Sequence, residues 1–191
     1  MKIVETFMAY LRERQKPFVL YLHLALLTLV ISQIIVSNFM DFTDTGEISD
    51  NIIEFYGTWL HIITGLSIIP PSLIFFGAVL RQRGLKYYFP YLAGDLFQLK
   101  KDIKQLMQFQ LPEPAACGIA AIVQGLGLGA LCLVLLSGLS WFLSWNYNLS
   151  WSDDAKETHE LLTGLIQAYL IGHGSMGILH IFFRSRLQTD N

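Results

Sequence analysis

Five histidines are the residues of this 191-residue chain whose type and placement point to chemistry: His23, His61, His159, His173 and His180. None lies in a polar connection; each falls within or at the end of a long apolar stretch. An ionisable group in apolar surroundings is costly and marks a functional site. His159 and His173 are 14 residues apart, so on one helix they share a face to within about 40° and are separated by about 21 Å along the axis. One therefore lies near each end of that helix. His61 sits seven residues from Glu54, and His23 seven residues from Lys16. Depth thus matches His61 with His159 at one end. At the other end His23, about 10 Å deep, can be matched by His173 at about 16 Å or by His180 at about 6 Å, both on one stripe. Two imidazoles facing each other from different helices, between apolar walls, can ligate a haem iron from both sides.

Glycines bracket these histidines. Gly57 and Gly65 lie one turn either side of His61, Gly164 follows His159, and Gly172, Gly174 and Gly177 surround His173. Small residues let a flat ligand or a neighbouring helix approach the backbone. Gly65, Gly164 and Gly174 are the candidates for contact with such a ligand. Gly125 and Gly129, at GxxxG spacing, read as helix packing.

The elements that must position these residues are visible in the charges. The chain is 53% hydrophobic and only 15% charged. Asp, Glu, Lys and Arg are absent from residues 17–40, 55–80, 114–152 and 161–183. A bilayer-spanning helix needs about 20 apolar residues. The expected fold is therefore all-α, an integral membrane four-helix bundle with spans at about 17–40, 55–80, 114–145 and 158–183. Residues 1–191 would form one transmembrane domain, since the connections are too short for a separate catalytic domain. Lys2, Arg12, Arg14, Lys16, Arg81, Arg83, Lys86, Lys100, Lys101, Lys104, Arg184 and Arg186 fall on one side, and Lys156 alone on the other. Basic residues stay on the cytoplasmic side, so both termini are expected there. The first span follows a charged lead-in and is full length, unlike a cleaved signal. His61 and His159 then belong to the outer half.

The outer connections are acidic, with Asp41, Asp44, Glu47, Asp50 and Glu54 in the first and Asp153, Asp154, Glu157 and Glu160 in the second. Trp141, Trp145, Tyr147 and Trp151 read as an interfacial aromatic belt. In the inner loop, Leu92, Leu96, Leu99, Ile103, Leu106 and Met107 recur at helical spacing with Lys100, Lys101 and Lys104 between them. This pattern predicts a short amphipathic helix along the membrane surface, stopped by the Leu111–Pro114 stretch, which also launches the third span. Cys117 and Cys132 fall in that one span, about 22 Å apart, too far for a disulfide. A net charge of −2 gives no case for nucleic acid. Cys-x-x-Cys-His, clustered cysteines, Rossmann and P-loop signatures are all lacking, so c-type haem, iron–sulfur and nucleotide chemistry are not expected here.

His61 in Trp-Leu-His-Ile-Ile-Thr-Gly, His159 in His-Glu-Leu-Leu-Thr-Gly, His173 fourteen residues on and Tyr21-Leu22-His23 together resemble the bacterial di-haem cytochrome b-561 family. That family includes the b-type membrane subunits of nickel–iron hydrogenases and formate dehydrogenases, and a quinone-reducing superoxide oxidase. The resemblance covers about residues 17–186. It implies two non-covalent b haems with iron ligands His23 and His173 for one, and His61 and His159 for the other. His180 is then left beside a haem propionate or a quinone. Gln124, a polar residue of the third span, reads from the sequence itself as a second quinone donor or as a packing residue. The function implied is electron transfer between a quinone or quinol pool and a partner redox protein, in the bacterial inner membrane, as a subunit of a respiratory oxidoreductase. The alternatives are a stand-alone quinone-linked oxidoreductase such as superoxide oxidase, which the acidic outer surface disfavours for an anionic substrate, and a haem-free four-span anchor.

Overall fold

The computed structural model describes residues 16–43 and 46–189, with side chains as far as Leu179 and for Phe182. Met1–Gln15, with Lys2, Arg12 and Arg14, lie outside the described residues, as do the side chains of His180, Arg184 and Arg186. Among the described residues the regular structure is helical, apart from one isolated bridge between Phe42 and Ile48. The helices are α1 (Pro17–Val36), α2 (Ile52–Arg83), the short α3 (Leu85–Tyr88), α4 (Phe97–Met107), α5 (Ile119–Asn146) and α6 (Ser152–Thr189). Single 3₁₀ turns follow α1 at Ser37–Phe39 and α3 at Pro90–Ala93.

Three of these stretches are long and apolar enough to cross a membrane: Pro17–Phe39, Ile52–Arg83 and Ile119–Asn146. Among the described residues the expected fourth, α6, has the length of a span but is not one of these three. Its Thr163, Gln167, His173 and Ser175, with four glycines from Gly164 to Gly177, dilute the leucines and isoleucines. α2 carries Pro70 and Pro71 inside it. Each lacks an N–H and removes one i→i−4 hydrogen bond. α2 ends at Gly84, whose φ of 79° and ψ of 159° suit a residue without a Cβ.

The chain divides into two compact units. The first contains the described residues to Phe75 together with 134–163. Its core is Ile62, Trp141 and Ala155, against which Met40, Phe42, Trp59, Leu66, Phe142 and Trp145 pack. Trp141 and Trp145 are therefore not a lipid-facing belt. Trp141 is buried, and Trp145 Nε1 donates to Gly46 O at 2.9 Å, pinning that residue. Phe42 meets both rings edge-on at 5.6 and 6.2 Å. Tyr147 and Trp151 remain exposed, as a belt requires.

The second unit spans 76–133 and the described residues from Gly164. Here the amphipathic helix is present but shorter than its pattern, since Leu92 sits in a 3₁₀ turn and Leu96 is the residue before α4. Ile103, Leu106 and Met107 are exposed along it. Asp102 is its buried polar residue, 2% exposed. Its carboxylate accepts from Ile119 N at 2.8 Å and from Gln98 Nε2 at 2.7 Å. A carboxylate on the first N–H of a helix caps it, so Asp102 fixes where α5 begins. That start is Ile119, not Pro114. Cys117, at φ 61°, cannot join the helix and instead donates its Sγ–H to Lys86 O at 3.6 Å. The two cysteines thus do not share a helix, and both are free thiols. Gly125 is filled by the backbone of Tyr88, and a Cβ at Gly129 would touch nothing within 4 Å, so the GxxxG spacing does not act as one packing motif. Lys86 and Asp95 pair at 2.9 Å, and this hydrogen bond raises the lysine's pKa and lowers the carboxyl's.

Candidate haem site

In the first unit α2 and α6 bring His61 and His159 together. Their ring centroids are 6.3 Å apart with planes at 73°. A metal about 2 Å from each imidazole nitrogen, with each nitrogen about 1.1 Å from its ring centre, separates the centroids by about 6.2 Å. The observed spacing fits one iron between the two rings.

Each ring is held differently. His159 Nδ1 lies 3.0 Å from Ser137 Oγ, whose hydroxyl also donates to Val134 O at 3.0 Å. Gly138, the next residue of α5, leaves room for the same ring: a Cβ there would come 2.9 Å from His159 Cε1. Thr163, one turn on in α6, donates to His159 O at 2.9 Å. His61 Nδ1 is buried and has no hydrogen-bond partner among the described residues, and neither has the hydroxyl of Thr58, one turn earlier in α2. Buried polar atoms are almost always satisfied. Two orphans on consecutive turns beside the ring pair fit a site completed by a bound group. On α1, Gln33 donates Nε2 to the Thr64 hydroxyl, and a Cβ at Gly65 would lie 3.2 Å from Gln33 Oε1. Gly65 thus admits a helix neighbour.

The other candidates are placed as follows. His23, on α1 in the first unit, stacks on Phe75 at 5.7 Å and 13°. His173, on α6 in the second unit, stacks on Tyr169 at 5.2 Å and 11°. The Tyr169 ring occupies the space beside Gly127, where a side chain would collide with it. Each of these two histidines therefore rests against an aromatic ring of its own unit. Cβ atoms at Gly164 and Gly174 would meet nothing within 4 Å. Gln124 is half-buried on α5. His180 lies in α6, its side chain outside the described residues.

Ser137, Gly138, Thr58 and Tyr169 carry no mark in the sequence that ties them to histidines. Their roles depend on helix rotation, which spacing within one helix does not fix across two.

No curated protein and no solved structure matches the chain in comparison. The profile of the prokaryotic cytochrome b561 family, in contrast, matches residues 14–189, nearly the whole length. The chain belongs to that family and is a membrane b-type cytochrome of electron transfer.

Proposed function

We propose that the protein carries electrons between a quinone or quinol pool and a partner redox protein through two bis-histidine b haems. In this reading α1, α2, α5 and α6 form one four-span domain with both termini cytoplasmic. His61 and His159 hold the outer haem, and His23 and His173 the inner one. The observation that carries the reading is the His61–His159 pair, two imidazoles from different helices at the spacing one iron requires.

Bound there, a haem supplies reversible one-electron oxidation and reduction. The chain's own residues do the rest. His61 and His159 would hold the iron from both sides. The Trp141–Phe42–Trp145 cluster keeps water from the turns that bear them. The open space at Gly164 and Gly174 suits the approach of a porphyrin face. A quinone site near the inner haem, with His180 as hydrogen-bond donor and proton path and Gln124 as a second donor, completes the reading. Histidine suits that role because its ordinary pKa lies near neutrality. The α4 segment, with exposed Ile103, Leu106 and Met107, is the surface for a partner subunit.

A pyridine haemochrome assay on the purified protein tests the cofactor count, with two haems per chain expected. His61→Ala and His159→Ala should remove the same haem, and His23→Ala and His173→Ala the other, while His180→Ala keeps both but slows reduction by quinol. One haem per chain, or loss of different haems in His61→Ala and His159→Ala, overturns the assignment.

A further inference from the structure

We infer that Ser137 is a positioning residue that fixes the tautomer of His159, so that Nε2 carries the lone pair offered to a metal. The inference rests on the proposed haem site and deepens it.

The argument is a count of protons. A serine hydroxyl has one proton and two lone pairs. Ser137 Oγ lies 3.0 Å from Val134 O and 3.0 Å from His159 Nδ1. A carbonyl oxygen can only accept, so the hydroxyl proton goes to Val134. Oγ then meets Nδ1 with a lone pair, and the bond forms only if Nδ1 bears the proton. A neutral imidazole with its proton on Nδ1 has its free lone pair on Nε2.

Two further observations restrict the ring. Ser137 is buried, so water does not compete for its hydroxyl. Gly138 leaves the ring its space, and any side chain there would meet Cε1. Ser137 and Gly138 thus act together on one imidazole, the first setting its proton and the second its position. His61 has no such device, since its Nδ1 lacks a partner. The two rings are therefore held differently, His159 by a side-chain hydroxyl of α5 and His61 with no hydroxyl on its Nδ1.

An acceptor on the distal N–H of a ligating histidine makes the imidazole more basic and strengthens its bond to the metal. A more basic ligand favours the oxidised iron. Ser137→Ala should therefore raise the midpoint potential of the haem bound by His61 and His159, leave the other unchanged, and speed loss of the first haem by about 10–100-fold. Ser137→Thr keeps the hydroxyl and should restore both values. If Ser137→Ala does not accumulate, Ser137→Cys, a weak acceptor of similar size, carries the same expectation with a smaller shift.

Redox titration of the holoprotein in detergent, followed at the haem absorption bands, reads the potentials. Equal potentials and equal haem loss in Ser137→Ala and the parent overturn the inference. A parent protein that lacks the haem lost in His159→Ala overturns the haem reading itself, which is a separate result.

Discussion

Gly138→Ala is the sharpest perturbation the site offers, because it adds one methyl group at a known distance from one ligand. The new Cβ would stand 2.9 Å from His159 Cε1. Carbon atoms rest at about 3.5–4.0 Å, so the ring must retreat by about 0.6 Å or α5 and α6 must part by as much. Overpacking of this kind costs about 1–3 kcal/mol. At about 1.4 kcal/mol per tenfold, that is about a 5- to 140-fold loss of haem affinity at this site. The measurement is transfer of haem from the purified variant to an excess of a haem-scavenging apoprotein, followed at the absorption bands of each haem. One haem should leave faster and the other at the parental rate. Gly129→Ala, on the same helix but with nothing within 4 Å of its Cβ, is the control. It should keep both haems and gain helix stability of up to about 1 kcal/mol. Parental retention in Gly138→Ala, or equal losses in both variants, refutes the argument from ring displacement.

Asp102→Ala removes the acceptor of Ile119 N and Gln98 Nε2 and should destabilise the protein by about 0.5–2 kcal/mol, with Asp102→Asn losing less; an unchanged unfolding temperature in detergent counts against the cap. Trp145→Phe keeps an aromatic ring but deletes the donor to Gly46 O, so backbone amides of the 46–49 turn should exchange faster with solvent, and unchanged protection would show that the pin is idle. An alkaline phosphatase fused after Asn191 should be inactive and one inserted at Ser150 active, because that reporter folds only where disulfides form; the reverse pattern inverts the topology.

What could be read from the chain alone follows from which interactions are local. The helices were legible because membrane burial excludes charge over whole segments, a property each segment shows by itself. The matching of His61 with His159 was legible because depth is counted along each helix. The start of α5 was not. Pro114 looks like a first helical residue, but the helix waits for Asp102, a side chain 17 residues upstream whose contact with Ile119 N is tertiary. Trp141 and Trp145 illustrate the same limit. Their position near a span end suits a lipid belt, yet the rotation of α5 turns them onto Phe42 and Ile62. Ser137 and Gly138 are the most telling case. Nothing in a Ser-Gly pair announces a histidine 22 residues away, and only the packed helices bring the two to one ring.

The pinned connection has a consequence for how fast charge can move. Trp145 holds Gly46, Phe42 lies over Trp141, and Ile62 and Ala155 sit beneath them, one residue from His61 and four from His159. Indole, phenyl and alkyl groups surround the turns that carry the two proposed ligands. Such groups barely reorient when a neighbour gains or loses one unit of charge, whereas liquid water does so strongly. The activation barrier of an electron hop is set largely by that rearrangement, and the resting potential by the dipoles left in its place. A small aromatic roof over the proposed site would thus keep the barrier low and hand the tuning to a few fixed groups.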